Sequence, residues 1–264
     1  MSAMNATPAR HCAITGGADG IGRALAERYA ADGFAITIID RDAARAESLC
    51  ASLRAGGSVA TALIADLAST AGTLVATRAL ASLPPIDVFV HSAGISAVGR
   101  FGALDLAAQT RVLDINLRAP LQLSAWLLRD GHLATGATLV FIASLSVFSG
   151  YPGASVYAAS KDGIAAYART LRVALRGGGI NVLTVFPGPT RTAHARRYSP
   201  DNRRERRRMP PEHLAALIAA AVDRRDATLV PGAANRALAA LVRLAPGLSE
   251  WLMRKTIFDK LPEN

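Results

Sequence analysis

Lysine, cysteine, aromatic residues and long apolar runs are all scarce in this chain, and each shortage excludes something. Cys12 and Cys50 are the only cysteines among 264 residues. They form no metal-ligand spacing, and Cys12 lies in an apolar stretch that reads as a buried strand. A reduced thiol is expected there, not the disulfide framework of a secreted domain, and no metal site is expected. No apolar run reaches the ~18 residues of a membrane span. The opening stretch MSAMNATPARHC has no apolar centre of a secretory leader, so the expected location is cytoplasmic. Only Lys161, Lys255 and Lys260 are lysines, so arginine carries most of the net charge of +10. Arginine beside abundant alanine reads as GC-rich coding bias. The densest basic cluster, 203–208, has no interleaved aromatic side chain on which a base could stack, so no nucleic-acid partner is expected.

What is present is a 51% hydrophobic chain long enough for one large α/β core. Short apolar runs at 11–15, 34–39, 59–65, 86–90, 137–143, 180–186 and 227–230 read as strands. Helical patterns lie between them, at 21–32, 42–55, 104–128 (two helices, or one with a break), around Tyr157 and Lys161 as far as 175, and at 212–222. Gly56-Gly57, Pro84-Pro85 and Gly177-Gly178-Gly179 punctuate the chain. No internal repeat or linker divides it. This order implies a doubly wound parallel sheet of Rossmann type, about seven strands with helices on both faces, in a single domain over 1–264.

Chemistry concentrates first in Ser144–Lys161, SLSVFSGYPGASVYAASK. Tyr157 and Lys161 are four residues apart on one helix and so share a face. An ammonium beside the phenol would lower its pKa from about 10, as a general acid/base at neutral pH requires. Ser144, at a strand end, could share a substrate oxygen with Tyr157. Second, Thr15-Gly16-Gly17-Ala18-Asp19-Gly20-Ile21-Gly22 joins a strand to a helix. Glycine lets the backbone approach a pyrophosphate, and the helix start supplies unpaired N–H groups. Asp40, about twenty residues on, suits a ribose 2′-hydroxyl and would repel a 2′-phosphate. Asp19 carries the same sign. Arg41 points the other way, since it could cover adenine or recruit a phosphate. Asn116, a poor interior helix residue, suits a local kink.

Together these motifs resemble the short-chain dehydrogenase/reductase family in its short, single-domain form, over about 12–192. The resemblance implies Asn116, Ser144, Tyr157 and Lys161 as catalytic residues. Tyr157 would exchange the proton, Ser144 orient the substrate oxygen, Lys161 tune Tyr157 and hold the nicotinamide ribose, and Asn116 keep a water for proton relay. It implies NAD, with NADP the lesser alternative, held by Gly16, Asp19, Gly20, Ile21, Gly22, Asp40 and Arg41. Asp66 and Leu67 would border adenine, although Asp66 could equally cap the next helix. Ser92, Ala93 and Gly94 stand where the family has Asn-Ala-Gly, so the usual side-chain bridge between strands is in doubt at Ser92. Pro187, Gly188, Thr190 and Thr192 would meet the nicotinamide amide or phosphate.

The same resemblance makes 191–212 a substrate lid and predicts a homodimer or homotetramer. Val98, Phe101, Leu145, Val147, Phe148 and Tyr151 would flank a pocket for an apolar or aromatic secondary alcohol or ketone. Leu238, Leu241, Val242 and Ala245 form a stripe in a C-terminal helical extension over 233–264, with a break at Pro246-Gly247. Trp251, Leu252, Phe258 and the basic Arg254, Lys255 and Lys260 follow. Packing or subunit contact is the expected use of this stripe, with contact at a membrane surface as the alternative. Two other functions stay open: an NADP-dependent ketoreductase for lipid or carrier-bound 3-oxoacyl substrates, and a dinucleotide-binding sensor without turnover.

Overall fold

In the first strand, Ala13 turns to one face of the sheet and Cys12 and Ile14 to the other, and all three are fully buried. Strands covered on both faces need such unbroken apolar runs. The computed structural model describes residues 10–260 apart from 104, 200, 201 and 204. The opening stretch, Leu104, Arg204 and the last four residues of the C-terminal extension lie outside the described residues.

The elements run β1 His11–Thr15, α1 Gly20–Ala31, β2 Ala35–Asp40, α2 Ala43–Ala55, β3 Ala60–Ile64, α3 Thr70–Leu80 and β4 Ile86–His91. Then come α4 Leu106–Leu113, α5 Ala119–Arg129, β5 Leu133–Ile142, α6 Ser155–Ala174 and β6 Asn181–Val185. The last are α7 Ala193–Tyr198, α8 Pro211–Asp223, β7 Thr228–Leu229, α9 Ala233–Leu244 and α10 Pro246–Thr256. All seven strands are parallel in the order β3-β2-β1-β4-β5-β6-β7, the doubly wound sheet that the sequence implies. Leu25, Leu49 and Ile218 of α1, α2 and α8 pack on one face. Leu80, Leu123 and Ile164 of α3, α5 and α6 pack on the other. Winding reverses between β1 and β4, so the loops leaving their carboxyl ends diverge and leave a crevice.

Two local expectations need correction and two others gain detail. β5 starts at Leu133, not 137, because Thr135 and Gly136 interrupt its apolar pattern while the chain stays extended opposite Ile86. The helix over 104–128 does break, through a single π-helical segment, Asp114–Arg118. The segment 191–208 contains α7, and Arg191 N–H donates to Met209 O while Met209 N–H donates to Pro189 O, closing its base. Six residues are too few for α7 to show helical periodicity. Pro246-Gly247 opens α10 instead of interrupting the extension, since proline suits the first helical turn, and the break falls at Ala245.

Candidate active site

The crevice is built on contacts that only glycine permits. Gly16 has φ +65°, and a Cβ there would lie 2.7 Å from the Cα of Ala93. A Cβ on Gly22 would lie 2.2 Å from the carbonyl oxygen of Gly16. The first turn of α1 therefore packs against the glycine loop, and that loop against Ala93-Gly94 after β4. Asp19 caps α1, accepting from Gly20 N–H at 2.7 Å, and its other oxygen meets Arg45 Nη1 at 3.4 Å. Arg45 thus offsets the negative charge that the sequence reading assigns to this turn. Thr15, fully buried, supplies the bridge left open at Ser92: its hydroxyl oxygen accepts from Ser92 and Ala93 N–H at 3.1 and 3.2 Å and donates to Val90 O at 3.3 Å.

Asp40 ends β2 facing this loop. One carboxylate oxygen accepts from Ala18 N–H and the other from Asp42 N–H, both at 3.1 Å. A carboxylate can accept about four hydrogen bonds, so two more donors can be served. Asp66 does not cap α3; Ser69 does, accepting from Gly72 N–H. Burial acts to raise the Asp66 pKa, but the Ala68 N–H, the Arg111 guanidinium at 2.8 Å and the Arg41 charge outweigh it and hold it below the ordinary value. Leu67 is buried in the adjoining core. Ile21 is partly buried beside the α1 core.

Asn116 sits in the π-helical segment, buried, with its amide fully engaged. Oδ1 accepts from Ile95 N–H at 2.9 Å; Nδ2 donates to Ile95 O at 2.9 Å and to Ser160 Oγ at 3.0 Å. The kink is as expected, and the side chain clamps the loop after β4 to α6. A Cβ on Gly94 would meet Asn116 Oδ1 at 3.4 Å and Lys161 Nζ at 3.5 Å, so these three residues converge.

Ser144, Tyr157 and Lys161 come together at the carboxyl end of β5. Lys161 is buried, Nζ donates to Ile142 O at 2.8 Å, and it stands 5.7 Å from the centre of the Tyr157 ring. Burial lowers Lys161 to about 8. Burial pushes Tyr157 up to about 12, against a hydrogen bond with the Ser144 hydroxyl that pulls it down. The expected lowering by Lys161 is therefore reversed among the protein's own groups. Burial disfavours both charged forms, so it works against the phenolate that the neighbouring ammonium would favour.

The sequence reading missed His194, which belongs to no obvious motif. It lies two residues beyond Thr192, which caps α7 and whose methyl group would be 3.2 Å from a Cβ on Gly20. The His194 ring is 6.2 Å from Tyr157 and 4.8 Å from Tyr198 between centroids. Burial and the Lys161 charge lower it to about 4, although a hydrogen bond to Gly94 O and the Asp19 carboxylate act to raise it. The only sequence signal is the His194–Tyr198 spacing of one helical turn. Thr190 is buried and donates to Gly188 O at 3.1 Å, and a Cβ on Gly188 would collide with Asn235 of α9 at 2.6 Å. Pro187 joins this turn to the Ser144 segment by accepting from Leu145 N–H at 3.1 Å. Of the expected pocket residues, Tyr151 stands 6.5 Å from Tyr157 and Phe148 packs on Phe186, whereas Phe101 is 76% exposed.

The family model described as short chain dehydrogenase matches residues 10–203. A ketoacyl reductase, HetN, of Nostoc is 30% identical over 66% of this chain and 61% of its own length. The 1-deoxy-11-beta-hydroxypentalenate dehydrogenase of Streptomyces exfoliatus is 34% identical over 68% of this chain and 66% of its own. The chain thus spans somewhat under two thirds of the length of these curated relatives. A short-chain dehydrogenase from Sphingobium yanoikuyae in complex with NADPH superposes with a TM-score of 0.79, 28% identity and coverage of 90% of this chain and 94% of that one. A Burkholderia phymatum structure with NAD has the same fold at a TM-score of 0.79 and 21% identity, covering 92% of this chain and 96% of that one.

Proposed function

The chain belongs to the short-chain dehydrogenase family, and from that premise we propose that it is an NAD-dependent oxidoreductase interconverting a secondary alcohol and a ketone. The observation that carries this reading is the buried convergence of Ser144, Tyr157 and Lys161 beside the Gly16–Gly94 cradle. The residues present fit a nicotinamide dinucleotide. Gly16, Gly20 and Gly22 bring backbone close to the start of α1, Asp40 keeps acceptor capacity for two ribose hydroxyls, and Asp66 and Leu67 border the adenine side. Ser92, Ala93, Gly94, Pro187, Gly188, Thr190 and Thr192 line the nicotinamide end, with Lys161 for its ribose. When bound, such a dinucleotide supplies or accepts the hydride at the substrate carbon.

Tyr157 hands its proton to, or takes it from, the substrate oxygen, and Ser144 donates a hydrogen bond to that oxygen. A phenol raised to about 12 holds its proton at neutral pH, so the proton for a ketone is present, while a bound cofactor and substrate would have to bring the pKa nearer the working pH for efficient transfer. Asn116 holds the loop after β4 in register with α6. The segment 191–212, with His194 against Tyr157, acts as the substrate lid. Tyr151, His194 and Tyr198 favour an apolar or aromatic substrate. A cytoplasmic location accords with two free, buried cysteines. Among the described residues no helix is long and apolar enough to cross a membrane.

A second reading, an NADP-dependent ketoreductase, draws support from Arg45 paired to Asp19 and from Arg41 beside Asp66. The test is turnover with NAD and NADP against a panel of secondary alcohols and ketones. NAD is expected to win by at least roughly tenfold in kcat/KM, because a 2′-phosphate removes one donor to Asp40 and adds repulsion. Asp40→Ala should shrink that margin. Better use of NADP by the unmodified protein would establish the second reading.

A further inference from the structure

On the face of β6 away from α1 and α8 lies a cleft of about 390 Å³ that none of the four catalytic residues lines. Its volume falls in the roughly 300–1,000 Å³ range of small-molecule sites. Arg169 and Arg172 of α6 and Arg236 of α9 line it together. Among the described residues no carboxylate pairs with any of these three. Elsewhere arginines take acidic partners freely, as Arg23, Arg28, Arg111, Arg118 and Arg224 do. Arg172 is pinned in place, its Nη1 donating to Ala227 O at 3.0 Å.

The walls carry the opposite character. Phe148 and Phe186, their rings 5.0 Å apart, and Val230, Ala165 and Ala239 give apolar surface. Thr184 is part of the lining, 2% exposed, and its hydroxyl has no hydrogen-bond partner. Three like charges around one cleft favour an anion among them, solvent screening Arg169 and Arg236 while it is absent, and a buried hydroxyl without a partner costs stability. The apolar walls argue against a bare inorganic ion, and the planar guanidinium fork matches a carboxylate.

We propose that this cleft binds a small amphipathic carboxylate, its acid group among Arg169, Arg172 and Arg236 and its apolar body against Phe148 and Phe186. Asn116, Ser144, Tyr157 and Lys161 lie outside this lining, and Phe148, expected at the substrate pocket, turns to this cleft instead. Calorimetric titration with 4-phenylbutyrate, 4-phenylbutan-1-ol and inorganic phosphate tests it on the full chain. Saturable one-to-one binding of phenylbutyrate is expected, with the alcohol and phosphate each at least about tenfold weaker, since charge-assisted bonds and apolar contact are both needed. The double variant R169Q/R236Q should bind phenylbutyrate at least about tenfold more weakly with unchanged melting temperature, and Thr184→Val more weakly than the parent. Tyr157→Phe should bind it unchanged.

Three results would overturn the proposal: no saturable binding at millimolar phenylbutyrate, equal binding by R169Q/R236Q, or loss of binding in Tyr157→Phe, which would put the ligand in the catalytic pocket. A fourth would be a smaller solution mass for R169Q/R236Q without phenylbutyrate binding in the parent, because the cleft would then be a contact between copies.

Discussion

Tyr157 and Lys161 are read correctly as a pair by their spacing, but the direction of their pKa shifts could not be. Spacing brings the ammonium near the phenol; burial, which only the fold supplies, disfavours both charged forms. Tyr157→Phe should lower turnover at least about hundredfold, in line with the usual range for acid–base catalysis, and leave cofactor affinity within a few fold, measured by steady-state kinetics and fluorescence titration. His194 gives a second prediction at this scale. Its pKa is depressed to about 4 from an ordinary 6.5, so protonation is harder in the folded protein. Its stabilising share is present above about 6.5 and is lost as the pH falls toward 4. The difference in melting temperature between the parent and His194→Asn should therefore be flat above pH 7 and shift steadily against the parent between 6.5 and 4. A difference independent of pH would remove His194 from the buried face of the lid.

Among the elements, the strand–turn–helix at β1–α1 leaves the least freedom. Gly22→Ala forces a Cβ to within 2.2 Å of Gly16 O, so either the loop or α1 must move. Overpacking of this kind costs roughly 1–3 kcal/mol, to be read from urea denaturation, with weakened dinucleotide binding beside it. Gly102→Ala, with nothing within 4 Å of the added Cβ, should stay within about 0.5 kcal/mol of the parent. The break at Asn116 was legible as a kink but not in its π-helical form, and the short α7 was not legible at all. One is a single widened turn and the other is six residues, each below the length at which periodicity can speak. At the other end, α9 and α10 leave Leu241, Leu244, Leu248, Trp251 and Leu252 exposed. Removing 246–264 should change solution mass or substrate KM but not kcat, since no described catalytic group comes from that segment. Unchanged mass and KM with lost binding to anionic liposomes would assign the stripe to a membrane surface instead.

For the whole molecule, we propose assembly through the helices that carry Asn116 and Tyr157. Leu106 and Leu113 of α4 and Val173 of α6 are large, apolar and exposed. Sedimentation should give a mass of at least twice 27.5 kDa, and Leu106→Asp should lower it. A monomer at micromolar concentration would contradict this. The seven apolar runs, the helices between them and hence the doubly wound class follow from local pattern, because each strand's apolar run and each glycine turn is a property of a few adjacent residues; the order of the strands in the sheet does not. The glycine loop, Asp40 and the Ser144–Tyr157–Lys161 set follow from local pattern too, as motifs at fixed spacing. Contacts between segments far apart in the chain escaped that reading: Thr15 bridging for Ser92, Arg45 on Asp19, His194 against Gly94, and three arginines from α6 and α9 around one cleft. Local sequence sets which way a side chain faces on its own element, but what it meets there, and how much water is left around it, is settled only when the elements pack.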